Sequence, residues 1–220
     1  MHRRHPWKLL FALCALIFLA FPQIDLLASR LFYEPGAGFF LRHTEVPEAV
    51  YRFIRDLGRI LPWVLLAPTV ASFLVPPLFR YRRPFAYLLL VLVLGPGLIV
   101  NGVFKDNLGR ARPDKVTEFG GTSVFTPAFI PSRECASNCA FVSGHAALGA
   151  YPLSLAFLFP RRRRWWLCAG AASGGIIGLM RVIQGKHYLS DVVFAFFIVY
   201  ATAAITYDLL YRRYQNSRPN

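Results

Sequence analysis

Six ionisable side chains stand at the ends of long apolar runs: Lys105 and Arg112 in KDNLGRARP, His145 in FVSGHAALGAY, and Arg181, His187 and Asp191 in RVIQGKHYLSD. Ionisable groups at the margin of a bilayer are costly to keep there, so they are functional candidates by default. Their types suit phosphoryl transfer. Three cations can neutralise the oxygens of a phosphate, one histidine can attack phosphorus, and the other can protonate the leaving oxygen. Ser143 is a good N-cap for the helix that His145 would open, and Gly144 admits close approach of an anion to the free N–H groups there. His187 and Asp191 are four residues apart; on one helix their side chains meet and the carboxylate holds the imidazole in one tautomer. Lys105 and Arg112, seven apart, would share one face of a helical continuation that Pro113 ends. No cysteine or carboxylate cluster suited to a metal accompanies the set, so neither metal nor other cofactor is expected.

Taken singly, each piece has a plainer reading. Lys105 with Arg112 reads as a snorkelling lysine and a solvated arginine, Ser143 to His145 as a capped helix with an interfacial histidine, and His187 with Asp191 as a helix-stabilising pair. What favours chemistry is that all three segments fall on the same side of the membrane.

That side follows from the elements around them. The chain of 220 residues is 55% hydrophobic and only 16% charged, too apolar for an ordinary soluble domain. Stretches of about 20 apolar residues span a bilayer, and six candidates are present, near residues 7–21, 60–79, 85–104, 140–159, 165–183 and 189–210. The expected fold is an all-α six-helix transmembrane bundle, a single domain over residues 1–220. The net charge of +14 does not indicate nucleic acid, because the basic residues are dispersed between apolar runs with no aromatic-basic module. Arg3, Arg4 and Lys8 precede the first run; Arg80, Arg82 and Arg83 follow the second; residues 161–164 follow the fourth; Arg212, Arg213 and Arg218 follow the last. Short basic segments stay cytoplasmic, which places both termini inside and the ionisable cluster outside. The first run also has the charged and apolar regions of a signal peptide, but PQIDLLASR is a poor cleavage site, so retention is expected.

Between the first two spans, Val50, Phe53, Ile54, Leu57 and Leu61 recur at helical spacing opposite Arg52, Arg55, Asp56 and Arg59. An external amphipathic helix lying on the membrane interface is expected there, without a direct catalytic role. The polar loop 105–139 holds Cys135 and Cys139, and an oxidising exterior favours a disulfide between them. Cys14 and Cys168 read as buried packing residues. Gly170, Gly174 and Gly178 would let a neighbouring helix approach closely, Trp165 and Trp166 would anchor at the interface, and Pro96 would kink the third span.

The three motifs resemble, in order, those of the type 2 phosphatidic acid phosphatase superfamily, which includes lipid phosphatases and vanadium haloperoxidases: Lys, six residues, Arg-Pro in KDNLGRARP; SGH; and Arg, five residues, His, three residues, Asp in RVIQGKHYLSD. The resemblance implies that His187 is the nucleophile oriented by Asp191, that His145 is the general acid, and that Lys105, Arg112, Ser143, Gly144 and Arg181 hold the phosphate, without metal. Val142 and Met180 stand where the family commonly has proline and serine. GPGLIVNGVFKDNLGRARP, ECASNCAFVSGH and GLMRVIQGKHYLSDVVF are similar, more narrowly, to bacterial lipid A 4'-phosphatases. This implies a membrane lipid substrate met at the periplasmic face of the inner membrane, and no obligate protein partner is expected. Phosphatidylglycerophosphate and undecaprenyl pyrophosphate phosphatases share the motifs. A non-enzymatic anion channel or lipid-binding subunit would need the cations but not two histidines and a paired aspartate.

Overall fold

Hydrocarbon offers backbone N–H and C=O groups no partner but each other, so apolar runs in a membrane fold as helices. The computed structural model describes residues 6–212; Arg3, Arg4, Arg213 and Arg218 lie outside the described residues. The first run forms α1 (Pro6–Ala20), followed across a bend of 80° by α2 (Gln23–Arg30). A small antiparallel hairpin, β1 (Tyr33–Glu34) and β2 (Gly38–Phe39), leads to α3 (Glu45–Leu74). Then come α4 (Arg82–Leu92), a π-helical stretch Val93–Phe104 and the single turn α5 (Lys105–Asn107). After a long irregular loop the chain continues as α6 (Gly144–Ala150), a 3-10 turn Tyr151–Ser154, α7 (Leu155–Leu158), α8 (Arg163–Ile183) and α9 (Leu189–Tyr207).

Among the described residues, four continuous helical stretches are long and apolar enough to cross a membrane: Glu45–Leu74, Pro76–Asn107, Pro160–Ile183 and Leu189–Tyr211. The bent pair α1 and α2 makes a fifth. The count differs from the expected six because the run at 140–159 is not one helix. Its first residues are irregular, and the 3-10 turn that includes Pro152 divides α6 from α7; proline supplies no N–H to an α-helical ladder. The amphipathic stretch is also not a separate element. It is the first half of α3, whose 30 residues make a rod about 45 Å long. Within it Ile54 is buried while Phe53 is exposed, so the face turned to the bundle runs through Tyr51 and Ile54 rather than Phe53.

Pro96, expected to kink the third span, is marked instead by a change of helix type within one continuous helical stretch. The π-helical stretch surrounds it, and the Asn101 side chain donates to the Pro96 carbonyl at 2.7 Å. The glycine seam is built as its spacing implied. A Cβ on Gly174 would lie 2.9 Å from the Ala150 nitrogen and 2.8 Å from the Phe196 ring, whereas one on Gly175 would meet nothing within 4 Å. Helix α8 can therefore lie directly against α6. The main core gathers Phe18, Val100, Phe141, Ala146, Leu153, Val192 and Phe194, and Phe11 of α1 packs edge-on against Phe194 and Phe197. Cys168, expected to be buried, is exposed on the outer side of α8.

The long helices also fix distance. Arg163 begins α8 and Arg181 stands in its last turn, about 27 Å away at 1.5 Å per residue. Arg82 begins α4, and Lys105 lies at the far end of the same helical run. The basic loops and the ionisable cluster thus occupy opposite ends of the bundle. Overfilling the seam tests this packing. Gly174→Ala is expected to destabilise by about 1–3 kcal/mol, read as a lower thermal midpoint in detergent, while Gly175→Ala leaves the midpoint unchanged or slightly raised.

Candidate active site

The three motif segments are joined by main-chain hydrogen bonds before any side chain is considered. The Ala140 N–H donates to the Arg110 carbonyl at 2.9 Å, Cys139 N–H to Lys105 at 3.3 Å, Ser143 N–H to Asp191 at 3.1 Å, and Asp114 N–H to Gly185 at 3.0 Å. A tight turn at Gly109 makes this possible: its φ is +61°, and a Cβ there would fall 2.0 Å from the Ser132 carbonyl oxygen. Helix therefore stops at Asn107, and Arg112 sits in extended backbone before Pro113. Lys105 and Arg112 do not share a helical face, as their spacing had suggested; the turn folds one back toward the other.

Ser143 does cap α6, its hydroxyl accepting from the Ala146 N–H at 3.3 Å. A Cβ on Gly144 would lie 3.3 Å from Lys105 Nζ and 3.0 Å from Asn101 Oδ1. Glycine at this position is what lets the lysine reach the helix end.

His187 is almost wholly buried and precedes α9, which starts at Leu189. It is not on one helix with Asp191. Its Nδ1 lies 2.8 Å from the Ala140 carbonyl oxygen and 3.4 Å from Asp191 Oδ2. A carbonyl can only accept, so Nδ1 carries the hydrogen and Nε2 keeps the lone pair. Ala140 thus sets the tautomer, with the Asp191 carboxylate beside it. Burial above all, then the charges of Lys105, Arg181 and Arg112, push the His187 pKa well below its usual 6.5. The ring is neutral at physiological pH, which leaves the Nε2 lone pair free.

Around it the cations are held individually. Lys105 is buried, with Nζ donating to Asn138 Oδ1 at 3.3 Å, and Arg112 Nη2 donates to the Asn138 carbonyl at 2.6 Å. Asn138 has a positive φ of 50° and lies inside the loop closed by the Cys135–Cys139 disulfide, whose Cα atoms are 5.7 Å apart. Arg181 donates to Gln184 Oε1 and lies 4.8 Å from the centroid of the Tyr51 ring. The same ring stacks on His145 at 5.2 Å. His145 Nε2 is buried and has no hydrogen-bond partner among the described residues.

All eight expected site residues stand in these joined segments. Others were not foreseen. Tyr51 lay in the stretch assigned to interfacial packing; its position one helical turn before Ile54 was the available signal. Arg110 was a third basic residue inside KDNLGRARP with nothing to mark it as buried. Asp25 was the lone acid in an apolar run, which is itself a signal. Asn138 had none beyond its place between the cysteines.

The sequence pattern of the PAP2 superfamily matches residues 85–215, the span that carries every one of those eight residues. The chain belongs to the PAP2 superfamily. It is 35% identical over 206 residues to a lipid A 4'-phosphatase of Francisella tularensis subsp. novicida, covering 90% of this chain and 91% of that one. It is 33% identical over 198 residues to a lipid A 4'-phosphatase of Rhizobium leguminosarum, covering 80% and 83%. A lipid A 1-phosphatase of Rhizobium etli shares 38% over 109 residues, covering 49% and 42%. No solved structure matches this chain. With its apolar helices, this PAP2 protein is a membrane lipid phosphatase.

Three outcomes follow from the site. Because the folded-state pKa of His187 is depressed, the neutral ring survives below pH 6.5, and the acid limb of kcat/KM should lie below that value; a limb at or above 6.5 that depends on His187 would contradict the buried, cation-ringed imidazole. Breaking the disulfide by Cys135→Ser with Cys139→Ser should raise KM several-fold while the protein stays folded, since Asn138 loses its enforced hold on Lys105 and Arg112. In unmodified protein extracted without reductant, neither cysteine should accept a thiol label after denaturation.

Proposed function

We propose that this PAP2 protein removes the 4'-phosphate of lipid A at the periplasmic face of the inner membrane, through a phosphohistidine at His187. The observation that carries the substrate is the similarity, over nine-tenths of both chains, to a relative named lipid A 4'-phosphatase. The site supports the chemistry. Lys105, Arg112 and Arg181 neutralise the phosphate oxygens with Ser143 and Gly144 beside them. The lone pair on His187 Nε2 forms the N–P bond as the ester P–O bond breaks, and His145, cationic once the phosphate dianion offsets the surrounding cations, gives its proton to the departing oxygen and becomes neutral. Water then attacks phosphorus, its proton passes to His145, and the N–P bond breaks. No step uses a cofactor: three cations do the work of charge neutralisation, and no group of three potential metal-ligating His, Cys, Asp or Glu residues occurs among the described residues.

The placement of the lipid rests on the bundle. Six segments cross the membrane, with α1 leading into α2 as the first and α6 with α7 as a broken fourth; both termini are cytoplasmic, and the chain acts as one domain over residues 1–220. The basic residues at the far end of the helices favour this orientation. The first half of α3 lies at the outer interface, where its arginines attract an anionic headgroup. A largely apolar cleft of about 440 Å³, lined by Pro62, Leu92, Pro96, Leu98 and Leu148, extends to Asn101 and Gly144. Acyl chains can occupy it while the phosphate reaches the cations.

Expression in a bacterium that makes lipid A should lower the mass of its lipid A by one phosphate, with fragmentation placing the remaining phosphate at the 1 position. Loss from the 1 position, or unchanged lipid A beside active hydrolysis of phosphatidylglycerophosphate or undecaprenyl pyrophosphate, would reassign the substrate and leave the phosphatase intact. Turnover should persist in excess EDTA and be inhibited by vanadate. Rapid-quench trapping of phosphohistidine should vanish in His187→Ala and survive in His145→Ala for substrates with good leaving groups.

A further inference from the structure

Behind His187 lies a buried ionic cluster that the reaction as written does not use. Arg110, 1% exposed in its side chain, donates from Nη1 to Asp191 Oδ1 at 2.6 Å and from Nη2 to Asp25 Oδ2 at 2.8 Å. It also donates from Nη1 to Ser190 Oγ at 2.9 Å and from Nε to the Thr126 carbonyl at 2.8 Å. Asp25 comes from α2, on the far side of the 80° bend, and is wholly buried. Its Oδ1 accepts from the Ser190 N–H at 2.8 Å and its Oδ2 from the Ser190 hydroxyl at 2.5 Å. Asp191 Oδ2 accepts from the Tyr188 N–H at 2.8 Å. Every group that bonds either carboxylate is a donor, as the ionised forms require. With both ionised, two negative charges share one positive charge, and the cluster carries a net charge of −1. The Tyr188 ring lies 4.1 Å from the guanidinium, and all three charged side chains are buried from bulk solvent, so their field is little screened.

The arithmetic matters for the histidine. Paired with Arg110 alone, Asp191 would be neutralised and would offer His187 little. The ring becomes cationic when Nε2 bonds phosphorus, because Nδ1 keeps its hydrogen on the Ala140 carbonyl. It does so facing Lys105 from α5, Arg112 from the long loop and Arg181 from α8, with His145 on α6; among the described residues Asp191, paired with Arg110, is the carboxylate behind it, and on its own that pair is neutral.

We infer that Asp25 is a positioning residue for the phosphatase reaction, supplying through Arg110 the second negative charge that leaves Asp191 effective against the cation formed on His187. This rests on the phosphohistidine reading above. It gives α2 a function beyond packing: the bend after α1 brings one acid from the start of the chain to the start of α9, where it acts on the nucleophile without touching substrate.

The test compares Asp25→Asn and Arg110→Gln with unmodified protein in detergent micelles containing lipid A, over a full pH range. Asp25→Asn keeps the shape and one of the two acceptor oxygens but removes the charge. It should lower kcat at least tenfold with KM changed less than threefold, reduce trapped phosphohistidine, and move the acid limb of kcat/KM to lower pH. Arg110→Gln releases Asp191 from its neutralising partner and should move that limb the opposite way, to higher pH. Opposite displacements are not what a loss of packing produces; if Asp25→Asn does not fold, Asp25→Ser, which also removes the charge, takes its place and must move the limb the same way. An unmoved limb in Asp25→Asn, or displacement of both limbs in the same direction, overturns the role of Asp25. Absence of turnover or of phosphohistidine in the unmodified protein counts instead against the proposed reaction.

Discussion

Arg110 is the constraint around which the catalytic end of the bundle is organised. A guanidinium removed from water must have its donors satisfied and its charge balanced, and removing one partner of such a buried pair typically costs about 3–5 kcal/mol. Here the partners come from three places: Asp25 on α2, the Thr126 carbonyl in the long loop, and Ser190 with Asp191 in the first turn of α9. No two of these segments are neighbours in sequence. Satisfying one side chain therefore fixes the first helices, the long loop and the last helix relative to one another, and it does so directly behind His187.

In front of that histidine the problem is reversed, because cations must be held close together with no carboxylate to quench them. Repulsion among Lys105, Arg112 and Arg181 is offset by neutral acceptors, Asn138 for the first two and Gln184 for the third. The disulfide between Cys135 and Cys139 makes Asn138 a fixed acceptor rather than a floppy one. Preorganisation of this kind matters because donors already aimed at a developing charge need no rearrangement during reaction. Asp114, lying just past the cations, pairs through Oδ2 with Arg42 and Lys186.

The membrane part and the site are one mechanical unit. Helix α3 runs from the hydrocarbon region up to Tyr51, which faces both His145 and Arg181, and α8 carries Arg181 on the same rod whose glycine seam packs on α6. Small residues at a helix contact allow dispersion to replace a hydrophobic driving force that lipid cannot supply. The seam thereby sets the distance between Arg181 and the helix that bears His145.

Much of the candidate site was legible from residue types and spacing alone, because the cations, histidines and acid that phosphoryl transfer would call on stand out whatever the fold. Lys105, Arg112, Ser143, Gly144, His145, Arg181, His187 and Asp191 could be chosen that way, and local rules correctly placed the Ser143 cap. Basic residues at alternate helix ends also implied which residues lie at opposite ends of the bundle. Local geometry failed where long-range pairing overruled helical spacing. Gly109 turned the chain before Arg112 could join a helix, and Ala140 took the His187 hydrogen ahead of Asp191. The amphipathic stretch fused with the span after it, and the span at 140–159 broke in two. Tertiary structure alone decided that Arg110 is buried and bonded to Asp25 across 85 residues of sequence. The reason is physical: the cost of an unpaired buried charge is set by what the fold brings beside it, and spacing along the chain carries no record of that.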